Sequence, residues 1–392
     1  MDIETNNQLQ LRRNLVIIGI VFVAILVRLN FIHFQSADFV RALNNWYEFI
    51  RQHDGFGALK FNFSEYNTPY LYLLVLAYYL VPKLSSLVVI KSISIFFDFF
   101  GAFFAAKLVQ LKYPSSQWFS VATFAAVLLA PTVVVNSAAW GQADMIYTSF
   151  LLAFLYYLIK RKEVLAAIAF GIAFSFKLQT AFLAPLVFIL LLKRLIGWKF
   201  CLIVPATYLL LLLPAWISGR PFLDLLLIYL AQSGTYEDLT KHAPNLYQWI
   251  SDDYFNIFVP LGLLWTSILV AAFVFWLYRI RTKIDSHFIL RVAIISALAV
   301  PYFLPKMHER YFFVADVLSI VFAFYFPRFF FLPLIVIASS LLSYAPFLLD
   351  KLFVSLKVQS IFLLVLLVVL LKNLRNSLSQ QEWIKPGSGN SP

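Results

Sequence analysis

Long apolar runs alternate with short polar breaks along most of the chain. They fall at 14–33, 87–109, 118–135, 145–159, 165–176, 180–192, 200–216, 257–278, 288–304, 311–326, 330–349 and 354–371. An α-helix rises 1.5 Å per residue, so about 20 residues cross a hydrocarbon core of about 30 Å. The pattern predicts an all-α polytopic membrane protein with about twelve transmembrane helices. The runs at 165–176 and 180–192 are short, which predicts tilted spans or spans extended by their neighbours. The first run lacks a small-residue cleavage pattern and precedes many others, so it reads as a span and not as a signal peptide.

Two stretches break the alternation. Residues 37–53 place Phe39, Leu43, Trp46, Tyr47 and Ile50 at near-helical spacing, which predicts an amphipathic helix lying at the membrane surface. Residues 70–81 (YLYLLVLAYYLV) are apolar but too short to cross, and Pro82 ends them. They are expected to form a shallow or re-entrant element on the outer face.

Composition agrees with lipid as the solvent. Of 392 residues, 62% are hydrophobic, 13% are charged and 42 are Phe, with a mean hydropathy of +0.82. The net charge of +12 sits in short clusters between apolar runs, which argues against a nucleic-acid partner. Arg12–Arg13, Lys112, Lys160–Lys162, Lys193–Arg194, Arg279, Arg281, Lys283, Arg328, Lys372 and Arg375 all fall on one side if residues 70–81 do not cross. Cys201 stands alone and forms no internal disulfide.

This layout divides the chain into a cytoplasmic N-terminus (1–13), a catalytic membrane module (14–216, including an outer loop at 34–86), a second outer loop (217–256), C-terminal membrane helices (257–371) and a cytoplasmic tail (372–392). The last six residues read as disordered or as a foreign remnant. There is no P-loop, dinucleotide glycine pattern, HExxH or paired CxxC, so a pump driven by its own nucleotide site is not expected.

Asp38, Glu65, Asn136, Gln142, Asp144, Lys177, Gln179, His308, Glu309 and Arg310 are placed at the outer ends of spans. Each alone is explained by snorkelling or pairing at the interface; together they mark a site, because ionisable groups beside apolar helices are costly. Lys91 and Asp98 lie inside the second span, where a structural pair or a helix-packing role is as good a reading as catalysis. Arg28 either snorkels or faces a phosphate from below. The set suits transfer chemistry at the membrane surface. One carboxylate removes a proton from an acceptor hydroxyl as its oxygen attacks a sugar carbon, and the other orients the acceptor or holds a cation. A leaving phosphate needs positive charge, which Lys177, Arg310 and His308 can supply. Lipid-facing grooves would take a polyprenyl tail. Tyr and Trp near the pocket either pack on a sugar face or form an ordinary aromatic belt.

Four stretches carry a resemblance: SADF (Asp38), NSAAWGQAD (136–144), FKLQ (176–179) and PKMHERYFF (305–313). Together they resemble the GT-C-fold glycosyltransferases that use polyprenyl-phosphate sugars. The WGQAD and HERYF elements are most similar to bacterial relatives of the mannosyltransferases of glycolipid-anchor synthesis. The resemblance implies an inverting transfer of a hexose, with mannose suggested, from a polyprenyl-phosphate donor at the outer face of a bacterial cytoplasmic membrane. It implies Asp38 as general base, Asp144 as a second acid assisting acceptor or metal, and Lys177 and Arg310, with His308, at the donor phosphate. Glu65, Gln142, Gln179, Glu309 and His242 are then candidate substrate-binding residues.

This chain departs from the pattern at Asp38, which is followed by Phe39 and Val40 and not by a second acid, so a divalent metal is left open. His242 and the acids of the 217–256 loop lack the tight spacing of a metal site. No large polar domain follows the apolar segments, which favours a lipid-linked or glycan acceptor over a protein. A transporter or flippase is the alternative, supported by Lys91, Asp98 and the short pair at 164–192. A non-catalytic scaffold subunit is a third reading.

Overall fold

The computed structural model describes residues 2–234 and 237–383, and it is almost entirely helical. The first helix runs from Asp2–Leu29, so the polar residues before 14 belong to it. No proline or glycine interrupts the chain before Gly19, and nothing in the first turns stops the helix. The expected end at 33 moves back to Leu29, followed by hydrogen-bonded turns from Phe31 to Arg28 and from Phe34 to Phe31.

Among the described residues, seven helices are long and apolar enough to cross a membrane: Asn7–Leu29, Ser86–Lys112, Trp198–Ile217, Asp252–Arg279, Ser286–Phe303, Pro327–Leu349 and Leu356–Gln380. Gln117–Leu128 and Pro131–Trp140, bent by 49° at Leu129–Ala130, make an eighth if they count as one span. Four of the about twelve expected spans fall short of this length. The runs read as spans at 145–159, 165–176, 180–192 and 311–326 form shorter elements, Asp144–Ile159, Glu163–Phe176, Leu178–Leu192 and Phe313–Tyr325. Their burial explains the difference. Asp144–Ile159 is enclosed on nearly every face, and a helix surrounded by protein need not match the hydrocarbon thickness. By contrast, only 6% of the first helix's apolar window is buried, against 72% for Ser286–Phe303. Asp144–Ile159 and Phe313–Tyr325 thus lie at the centre together with the long helix Ser286–Phe303, and the first helix faces outward.

The two interrupting stretches behave more closely as expected. A π-helical turn at Phe39–Leu43 leads into the helix Asn44–Gln52, and Phe39, Leu43, Trp46, Tyr47 and Ile50 are all buried. Thr68–Leu80 is a helix of 13 residues, about 20 Å long, capped by Asn67 with Pro69 in its first turn.

The basic loops gather at one end of the bundle. Lys112 donates to the carbonyls of Phe324 and Tyr325, Arg161 to Ile284 at 3.0 Å and Lys193 to Ile280 at 2.6 Å. The last helix, Leu356–Trp383, carries Lys372 and Arg375 within it, so the tail expected from 372 is helical to Trp383. The remaining residues, 384–392, lie outside the described part.

Two buried cations hold the first helix. Arg28 donates to Asp98 Oδ2 from Nη2 at 2.8 Å and from Nε at 3.0 Å, and also to the Ala24 and Leu128 carbonyls. Leu128 precedes the bend, so Arg28 satisfies a carbonyl that the broken helix leaves open. Lys91 instead donates to the carbonyls of Phe31 and Phe34, where a cation complements a helix C-terminus. Lys91 and Asp98 therefore do not pair with each other; each ties its helix to the first helix or the turn after it.

Candidate active site

Asp38 opens the helical turn that follows the first helix, tied down by Ser36, whose hydroxyl donates to the Trp140 carbonyl at 2.8 Å and accepts from the Phe39 N–H. The facing segment is a second π-helical turn, Val135–Trp140. Such turns are rare and often sit at functional sites. Gly141 ends it with φ +77°, a left-handed conformation that a side chain disfavours. The Gln142 N–H then folds back onto the Asn136 carbonyl at 2.8 Å. This closure places Trp140, Gln142 and Asp144 around one point.

Asp38 Oδ2 accepts from Trp140 Nε1 at 2.9 Å and from Gln142 Nε2 at 2.6 Å, and Arg310 Nη2 lies 3.7 Å away. The oxygen of the same Gln142 amide accepts from Tyr66 Oη at 2.8 Å and from Arg310 Nη1. The Arg310 guanidinium stands 5.0 Å over the Trp140 ring, with Nε 3.4 Å from Glu309 Oε1. Asp144 pairs with Lys177 through Oδ1 and accepts from Asn136 Nδ2 at 2.8 Å through Oδ2. Lys177 lies 5.5 Å from the centre of the Tyr66 ring, so Tyr66 touches both halves. The two acids differ in access: the Asp38 side chain is 29% exposed, whereas Asp144 is fully enclosed.

Charge is unequal among the 308–310 residues. Burial pushes the Glu309 carboxyl up to about 7, with Arg310 opposing. Burial, aided by Arg310, Lys241 and Lys177, pushes His308 down to about 3. This favours the neutral imidazole of His308 at neutral pH. Burial disfavours the Arg310 charge, but Tyr66, Asp144, Glu309 and Asp38 outweigh it and hold its pKa well above the ordinary value.

The second loop reaches this site through its backbone. Thr240–Lys241 pairs in parallel with Met307–His308, and His242 bridges His308. The His242 side chain itself is exposed. Other acids of that loop serve its own structure: Asp252 accepts from the Leu239 N–H, and Asp253 from Ser251.

Of the predicted residues, the structure brings together Asp38, Asn136, Gln142, Asp144, Lys177, Glu309 and Arg310, with His308 at the edge. Glu65 is exposed, and its carbonyl accepts from Gln232 outside the cluster. Gln179 is half-buried in the turn Leu178–Leu183 and makes no hydrogen bond to the cluster. Sequence reasoning missed Tyr66 and Trp140 as site residues. Trp140 lies between residues that were chosen, and Tyr66 is next to Glu65. Loop neighbours of this kind can only be told apart by which one turns inward.

Among the described residues, no group of three His, Cys, Asp or Glu side chains could hold a metal ion. Asp144 has both oxygens engaged, by Lys177 and by Asn136, whereas Asp38 uses only Oδ2. Neither the models of known protein families nor the curated proteins compared with this chain match it. The chain is a polytopic, mostly helical membrane protein.

Proposed function

We propose that the chain is an inverting membrane glycosyltransferase that moves a hexose from a polyprenyl-phosphate donor to the hydroxyl of a lipid-linked or glycan acceptor. One observation carries this reading: Asp38 is an open carboxylate, aimed by Trp140 and Gln142, with Arg310 beside it. Asp38 takes the proton of the acceptor hydroxyl while that oxygen bonds to the anomeric carbon. The bond from that carbon to the phosphate oxygen breaks, and its electron pair leaves on the phosphate. The charge that develops there meets Arg310 and Lys177, which need no proton transfer to stabilise it. Asp144 has both oxygens engaged, so its part is to hold Lys177 in place.

The test is purified protein with polyprenyl-phosphate hexose and candidate acceptors. Release of polyprenyl phosphate that depends on acceptor, and that Asp38→Asn abolishes, supports the reading. Activity untouched by Asp38→Asn sinks it.

The bend at Leu129–Ala130 is the feature that favours transport, since transporters build solute sites at broken helices. Here Arg28 already covers the Leu128 carbonyl, leaving less for a solute to bind. Movement of a lipid-linked sugar across vesicles without bond cleavage would support that second reading.

A further inference from the structure

A cleft of about 550 Å³ opens far from the polar cluster, between the N-terminal half of the first helix and the helices Ser86–Lys112 and Gln117–Leu128. Ile17, Phe103, Val121 and Phe124 give it apolar walls, and Arg13 and Lys107 supply its charge. No acid lines it. Arg13 Nε is buried there without a partner, and Lys107 rests 5.3 Å over the Phe103 ring. Neither cation has an ion pair among the described residues. The neighbouring polar groups are engaged with backbone: Gln110 donates to Tyr113 and Pro114, and Ser120 to Ala106.

We propose that this cleft binds an anionic glycerophospholipid, with its phosphate between Arg13 and Lys107 and its acyl chains along the apolar walls. The volume lies in the range of ligand sites, and the apolar lining beside a lipid-facing helix selects a lipid over a soluble anion. A second copy of this chain is a poorer occupant. The cleft belongs to the end where the basic loops gather, and a like-charged end would be repelled. The lipid fills the gap beside the least buried helix, the one that leads to Arg28 and Asp38.

The experiment is native mass spectrometry of the full chain released from detergent, titrated with equimolar phosphatidylglycerol and phosphatidylcholine. The wild type retains phosphatidylglycerol in preference by roughly tenfold or more, as two basic side chains beside an anionic headgroup predict. Arg13→Gln with Lys107→Gln abolishes the preference, Arg13→Lys with Lys107→Arg keeps it, and Arg281→Gln with Lys283→Gln, at exposed sites outside the cleft, leaves it unchanged. A wild type without preference, a preference that survives the first double substitution, or a dimer that covers this face and excludes lipid would each overturn the proposal.

Discussion

The indole N–H of Trp140 donates to Asp38 Oδ2 at 2.9 Å, joining residues 102 positions apart. The Trp140 ring is itself fully buried, stacked on Phe347 at 5.0 Å and edge-on to Tyr344 at 5.3 Å. Asp38 is therefore oriented by a rigid group. Trp140→Phe keeps the packing and removes the donor, which as a hydrogen bond to a charged group is worth ~1.5–3 kcal/mol. If Asp38 is the base, turnover per folded molecule falls roughly tenfold to hundredfold, beyond what the accompanying drop in unfolding temperature explains. Initial rates and a thermal scan of the same preparation check both.

Asp144 and Lys177 form an enclosed pair, so removing one partner leaves a charge without compensation. Lys177→Met is expected to destabilise the protein by about 3 kcal/mol or more. Adding Asp144→Asn should recover part of that loss without restoring activity. Denaturation of the single and double variants separates the structural cost from the catalytic one.

Arg28 tests the same logic where no chemistry is assigned. Its partner Asp98 is fully buried, and Arg28→Met should cost about 3–5 kcal/mol. Arg28→Met with Asp98→Leu should regain most of it. Turnover per folded molecule should stay near wild type in the double variant; a large loss there would instead place Arg28 at the substrate.

Glu309 and His308 should give opposite pH slopes. Glu309 rises from 4.5 to about 7 on folding, so the stability linked to its proton is present below 4.5 and lost as pH rises through 7. His308 falls from 6.5 to about 3, so its contribution is present above 6.5 and lost as pH falls toward 3. In Glu309→Gln the loss of stability between about pH 4.5 and 7 is smaller than in the wild type, while the acid side governed by His308 is unchanged. Unfolding curves of both proteins across pH 3–8 read the difference, and a variant with the wild-type slope between 4.5 and 7 would contradict the assignment.

Gly141→Ala forces a side chain into φ +77° and should cost about 1–2 kcal/mol. The turn also sets Gln142 against Asp38, so turnover should fall by more than the loss of folded protein explains. Comparing activity with the folded fraction distinguishes the two.

Several features could be read directly from the chain. Apolar run length and charge clustering determined an all-α membrane protein with its basic loops on one end, because solvation by lipid acts on each segment locally. The stripe Phe39, Leu43, Trp46, Tyr47 and Ile50 was legible for the same reason, since helical periodicity is a local property. The number of crossing helices was not. Asp144–Ile159 looks like a span by hydropathy, yet its neighbours enclose it, and apolar sequence does not distinguish burial in protein from burial in lipid. Asp38, Asp144, Lys177 and Arg310 stood out as polar groups in costly places. Their pairing, with Lys177 on Asp144 and Gln142 spanning Asp38 and Arg310, depends on contacts between segments distant in sequence, and so only the tertiary structure decided it.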